Sequence, residues 1–212
     1  GGIKMNLYKK NLKKLIKNNI YNTNQEHDAC GVGFIASVEG VKSRKVVEFG
    51  IEALKAVWHR GAVDADGKTG DGAGIHIEIP KDFFIERIQN AGRQHKAGTI
   101  CVGMIFLPRN NYPAQEKCKT LVENELLTKN YYVYRWRQVP VNTKVLGTKA
   151  ENNRPEIVQV IFKSNNPNIN SDDLERDLFV IRKNIEKNAS KLKLNDFYIC
   201  SFSSRSIIYK GM

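Results

Sequence analysis

A domain of mixed α and β structure is predicted by three features of the chain. Apolar residues alternate with small or polar ones at Cys30–Ser37 and again at Gly74–Ile79, the period of two that strands show. Elsewhere they recur every three to four residues, as Val47, Ile51, Leu54 and Trp58 do, which gives a helix one apolar face. No repeat, glycine–serine linker or proline-rich run divides the 212 residues, and a hydrophobic content of 41% is enough to fill one core.

Taken in order, the chain opens on Gly1 to Ala29, where six lysines face two acids for a net +4. Leu12, Leu15, Ile16 and Ile20 share a helical face there, so a basic amphipathic targeting or membrane helix is one reading. The segment has no arginine, few serines and no apolar run long enough for a secretory signal, which favours a weakly structured leader. Met5 is a candidate start within it. At Cys30–Ser37, Val32, Phe34 and Ala36 alternate with Gly31, Gly33 and Ile35, a pattern suited to a strand buried on both sides. A helix is expected from Ser43 to His59, and a half-buried strand at Gly74–Ile79, with His76 and Glu78 outward and Pro80 ending it. A short helix over Asp82–Asn90, a buried strand at Ile100–Leu107, a helix over Pro113–Leu127 and strands at Val133–Val139 and Ile157–Phe162 follow. Ser171 reads as an N-cap, with Asp172 and Asp173 in the first turn ahead of Leu174, Leu178, Ile181 and Ile185. Strands at Phe197–Phe202 and Ser206–Lys210, joined by a tight turn, complete the pattern.

A net charge of +12, from 34 basic and 22 acidic residues, raises the question of nucleic acid or an anionic membrane. A third of it lies in the leader and the rest is scattered, so neither partner is expected. Cys30, Cys101, Cys118 and Cys200 show no CxxC pairing and no clustering with histidine, which argues against a metal site and a disulfide framework and fits a cytoplasmic protein. Cys101 and Cys200 fall in apolar strands and are expected to be buried; Cys118 has helical spacing with Leu121, Val122 and Glu125 and is expected in the core or partly exposed.

By position alone, Cys30 reads most simply as a small buried thiol in a strand, although glycines on its C-terminal side allow another group to approach closely. Gly61 suits the C-cap of the helix before it, with Arg60 at the negative helix end. Gly67, Gly70, Gly72 and Gly74, with Asp66 and Asp71, superficially suggest a phosphate cradle. No strand leads directly in, no helix follows, and neither G-x-G-x-x-G nor a Walker lysine fits, so a turn-rich loop braced by Asp71 is expected instead.

The motifs Glu26-His27-Asp28-Ala29-Cys30-Gly31-Val32-Gly33-Phe34-Ile35-Ala36, Trp58-His59-Arg60-Gly61-Ala62 and Asp66-Gly67-Lys68-Thr69-Gly70-Asp71-Gly72-Ala73-Gly74-Ile75 resemble, in this order, the start of the large subunit of bacterial glutamate synthases. The resemblance continues through Trp136-Arg137-Gln138-Val139-Pro140 to Tyr209-Lys210-Gly211-Met212 and covers the chain from about His27 onward. It implies the N-terminal part, residues 30–212, of a class II glutamine amidotransferase (glutaminase) domain, of α+β class with the four-layer αββα sandwich of N-terminal nucleophile hydrolases. Residues 1–29 would then be a propeptide, with His27 and Asp28 next to the cleavage point, and Cys30 the catalytic nucleophile exposed by its removal. A free α-amine, with a reference pKa of about 7.7 to 8.0, can exchange a proton with a thiol of about 8.5, so one residue supplies nucleophile and base. Arg60, Gly61 and Asp71 are implied to lie next to that site rather than to react.

The same resemblance implies glutamine as substrate and a downstream synthase region using FMN and an iron–sulfur cluster. A small NAD(P)H-dependent subunit or ferredoxin is the implied electron source, and no cofactor site falls in this segment. The family's His-x-Arg-Phe-Ser-Thr and His-Asn-Gly-Glu motifs, which grip the substrate and its oxyanion, do not occur here, so the sandwich is expected to be incomplete at its C-terminal end. Two other classes stay open: another N-terminal nucleophile amidohydrolase, and a basic binding domain without catalysis.

Overall fold

The computed structural model describes residues 31–57, 63 and 65–211. Residues 1–32 and 33–212 form separate units; of the first only Gly31 and Val32 are described, both exposed.

Ser43 caps α1 (Arg44–Ala56), its hydroxyl accepting from the Val46 N–H at 3.4 Å. Val47, Ile51 and Leu54 are half-buried, and Gly50 lies against Ile75 of β1 (Ala73–Glu78). Along β1, Ile75 and Ile77 are half-buried while His76 and Glu78 are exposed, as the alternation requires. The strand ends at Ile79-Pro80, and α2 (Lys81–Gln89) follows. Next come β2 (Ile100–Leu107), α3 (Tyr112–Thr128), β3 (Tyr131–Gln138), a 3-10 turn (Thr143–Val145), α4 (Thr148–Asn153) and β4 (Glu156–Ser164). The last elements are α5 (Ser171–Lys191), β5 (Tyr198–Ser203) and β6 (Ser206–Gly211).

Antiparallel pairing assembles a four-stranded sheet in the order β3-β4-β2-β5 and a two-stranded sheet of β1 with β6. The two-residue turn after β5 therefore carries the chain from one sheet to the other instead of closing a hairpin. Glu175 of α5 fixes that turn, accepting from the hydroxyls of Ser203 and Ser204 at 2.9 and 2.6 Å and from the Ser204 N–H at 2.7 Å.

Alternation along β2 divides the core in two. Cys101, Ile105 and Leu107 face α3 and α5, where Cys118, Val122, Leu126, Leu174, Leu178, Ile181 and Ile185 pack on them. Ile100, Val102 and Met104 face the opposite way, onto Phe84 and Ile88 of α2, Ile79 just after β1 and Ile207 of β6. Each such aliphatic side chain contributes about 1.5–3 kcal/mol when fully buried. The layers are thus a helix pair, the large sheet, and the small sheet with α1 and α2 packed against it.

Two bulges break the alternation. Val133 pairs with Phe162 and Arg135 with Ile161, leaving Tyr134 unopposed; Met104 pairs with Ser201 and Ile105 with Ile199, leaving Cys200 unopposed. The extra residue lets Val133 and Trp136, and likewise Ile199 and Phe202, face the helices although three positions apart, while Tyr134 and Cys200 enter the other core. Arg93 donates to the carbonyls of Val133 and Tyr134, and the Tyr134 hydroxyl meets His95 Nδ1 at 2.7 Å.

Two sequence expectations are corrected. The run from Gly31 to Ser37 is not a strand: Val32 and Phe34 are 90% and 88% exposed. Alternation supplies a strand's faces but not its hydrogen-bond partner, and among the described residues this run has none. The cap of α5 is Asn170, whose side chain accepts from the N–H groups of Asp172 and Asp173 at 3.0 and 2.9 Å. Ser171 is the first helical residue, and its hydroxyl accepts from Arg205. The expected helix end at Trp58 and His59 lies outside the described residues.

Candidate active site

Of the site residues expected from sequence, Cys30, Arg60 and Gly61 lie outside the described residues, and Asp71 lies within them. Asp71 stands at the mouth of a cavity of about 700 Å³ beside the end of the small sheet. Asp71 to Gly74 form one wall, Asn142, Leu146, Ala150 and Arg154 another, and Phe106, Ile157 and Tyr198 of the large sheet contribute apolar surface.

The two walls are joined by a carboxylate that sequence reasoning had left unassigned within the glycine-rich loop. Asp66 accepts from the N–H groups of Lys68 and Thr69 at 2.9 and 2.7 Å and from the Thr69 hydroxyl at 2.5 Å. It also accepts from the Lys149 N–H at 3.4 Å, while Thr69 Oγ1 accepts from the Ala150 N–H at 3.4 Å. Asp66 and Thr69 thereby cap α4 from across the chain, where its own N-cap residue, Gly147, has no side chain to offer. The approach is so close that a Cβ on Gly147 would lie 2.7 Å from Thr69 N and nearer still to Asp66 Oδ2 and Thr69 Oγ1. These bonds, the Thr69 hydroxyl's foremost, hold the Asp66 carboxyl well below the usual aspartate range. An Asp-x-x-Thr spacing is the one signal of this turn in the sequence; its distant partner at Gly147 leaves none.

Arg154, on the second wall, is oriented by Glu151, which also pairs with Arg109; both contacts are 2.8 Å. On the other side of the mouth, Lys210 Nζ donates to the Tyr198 hydroxyl at 3.0 Å. The cavity thus carries a carboxylate and two cations on a largely apolar surface, a combination that can receive a small polar molecule with charged ends.

The three described thiols are unsuited to attack. Cys101, Cys118 and Cys200 are free and buried. Burial pushes Cys118 up to about 11 and raises Cys101 and Cys200 as well, so all three stay protonated near neutral pH. Cys101 and Cys118 lie in the core under the helix pair and Cys200 in the core on the other face of the large sheet, and no group of three or more His, Cys, Asp or Glu among the described residues could hold a metal ion. These residues do not fit an iron–sulfur cluster. Among the described residues no helix is long and apolar enough to cross a membrane.

Residues 30–212 match the family model of class-II glutamine amidotransferases. The chain is 54% identical, over 205 residues, to the glutamate synthase [NADPH] large chain of Azospirillum brasilense, an alignment covering 97% of this chain and 14% of that protein. It is 42% identical to the ferredoxin-dependent glutamate synthase of Pyropia yezoensis and 39% identical to ferredoxin-dependent glutamate synthase 2 of Synechocystis sp., each over 89% of this chain and 12% of the relative. The chain therefore spans about one-eighth to one-seventh of the length of these relatives. Its α+β sandwich with antiparallel sheets agrees with the match, and the chain belongs to the class II glutamine amidotransferases.

Proposed function

We propose that this chain is the front part of the glutaminase domain of a glutamate synthase, with Cys30 as its nucleophile. The observation that carries the reading is that the family match begins at Cys30, while the three described cysteines are buried and held protonated. Residues 1–29 are a propeptide whose removal frees the Cys30 α-amine. That amine takes the thiol proton, and the thiolate attacks the side-chain amide carbon of glutamine. The tetrahedral intermediate collapses as the amine returns the proton to the departing nitrogen, leaving a thioester and ammonia. Water, deprotonated by the same amine, then hydrolyses the thioester to glutamate and restores the thiol. Arg60, Gly61 and Asp71 shape the surroundings of the thiol.

In the whole protein the ammonia passes to a synthase region that carries FMN and an iron–sulfur cluster and forms glutamate from 2-oxoglutarate. A relative named for NADPH and others named for ferredoxin support an electron supply from a nicotinamide-dependent small subunit or from ferredoxin. We assign the protein to the cytoplasm, with neither nucleic acid nor membrane as partner.

The test is Cys30→Ala in the full-length protein. Glutamine hydrolysis should be lost while synthesis from added ammonia persists, and the intact mass of the active wild type should begin at Cys30. Glutaminase activity that survives the substitution would refute the assignment. Glutamine-dependent labelling of Cys30 separates this reading from an amidohydrolase acting on another amide.

A further inference from the structure

Three arginines gather where the end of α2 meets the outer strand β3, away from the cavity described above. The Arg87 and Arg137 guanidinium carbons lie 4.8 and 5.2 Å from the centre of the same Phe83 ring. Arg135 joins them by donating to the Arg87 carbonyl at 2.9 Å. Arg137 donates to Gln159 Oε1 at 2.8 Å, and the Gln159 amide donates to the Tyr209 hydroxyl at 3.2 Å, so that guanidinium is fixed from below by a fully buried side chain.

Among the described residues, the one carboxylate in ion-pairing range of the three is Glu86, 3.3 Å from Arg87 Nη2 and more than half exposed. An exposed pair of that kind does little to offset three like charges. Burial, and the charges of Arg87 and Arg135, act against the protonated form of Arg137. Arg87 Nε is buried and has no hydrogen-bond acceptor, the only such side-chain atom among the described residues. A fold gains nothing from seating two cations on one aromatic ring, setting a third beside them and leaving a donor unmatched. Guanidinium forks held rigid by an aromatic face and a buried amide are, however, suited to receive oxyanions.

We propose that Arg87 and Arg137, seated on Phe83, and Arg135 beside them form a binding site for one small oxyanion. Carboxylates and phosphates share the required chemistry, with oxygen pairs that accept from a guanidinium fork. A free dicarboxylate and free phosphate are its two sources, and the experiment tells them apart.

The full-length protein is titrated calorimetrically with succinate and, separately, with inorganic phosphate, both against sodium chloride at matched ionic strength. One saturable site per chain is expected for at least one of the two, and whichever binds more tightly identifies the anion class. Arg87→Met and Arg135→Met should each weaken binding tenfold or more. The melting temperature without ligand should stay unchanged or rise, because each variant removes a like charge from the cluster. Arg87→Lys keeps the charge and loses the fork, and should also bind more weakly. Circular dichroism of both Met variants guards against misfolding, and binding retained in either folded variant overturns the site. Equally, no saturation beyond the chloride control, or ligand-free melting that falls in both variants as it would for lost structural contacts, would refute the proposal.

Discussion

Replacing Gly147 with alanine tests whether the two cavity walls are held together as described. The new Cβ would lie 2.7 Å from Thr69 N and closer to two oxygens, against the roughly 3.5 Å that non-bonded heavy atoms prefer. The loop or α4 must therefore retreat by about 1 Å, which carries the Asp66 and Thr69 contacts to Lys149 and Ala150, already 3.4 Å long, out of hydrogen-bonding range. Overpacking of this kind costs about 1–3 kcal/mol. For a chain of this size that lowers the melting temperature by about 2–12 °C. Calorimetric unfolding of wild type, Gly147→Ala, Asp66→Ala and the double variant closes the cycle. Because Asp66→Ala removes one of the obstructing atoms, the double variant should be more stable than the sum of the single losses predicts. A Gly147→Ala protein that melts with wild type, or strictly additive losses, would refute the clasp.

Further expectations concern the same carboxylate and the core. Since the Asp66 carboxyl is depressed below its reference of 3.8, its stabilisation is present above that pH and is lost as pH falls below it. The stability gap between wild type and Asp66→Asn should therefore be constant near neutrality and narrow below about pH 4, as urea titrations across pH would show. Leu178→Ala, at a side chain with no exposure between α5 and the large sheet, should cost about 2–5 kcal/mol in the same titrations. Alkylation at pH 7 followed by peptide mass mapping should leave Cys101, Cys118 and Cys200 unmodified until denaturant is added, because each is buried and protonated.

What the sequence disclosed, and what it hid, divides along physical lines. Periodicity is a local property, and it located β1, β2 and α3 to within a residue or two and the start and buried face of α5, with His76 outward and Cys101 and Cys200 inside. Pairing is not local. The extra residues Tyr134 and Cys200 shift the phase of β3 and β5, and nothing in either strand's own composition marks which residue will lack a partner. The run after Cys30 shows the same limit from the other side, having the alternation of a strand but no described neighbour to bond with. The short helix α4 escaped notice because its cap comes from Asp66 and Thr69, about eighty residues earlier. The family was legible through the ordered motifs around Cys30, while Cys30, Arg60 and Gly61 themselves lie outside the described residues.

The bulges on β3 and β5 also bear on how this molecule meets other polypeptides. They interrupt both outer strands of the large sheet, and Arg93 occupies the carbonyls of Val133 and Tyr134 at one of them. A foreign extended segment approaching either side finds a broken template, the condition that discourages edge-to-edge association. In the small sheet, β1 and β6 pair through six consecutive residues without a break, and each keeps one side unpaired within that sheet. Sheet growth is therefore biased: the bulged edges of the large sheet discourage lateral recruitment, and in the small sheet β1 offers the more open edge, because the Ile208 N–H of β6 already donates to Ser201 Oγ and its carbonyl accepts from Cys200 Sγ.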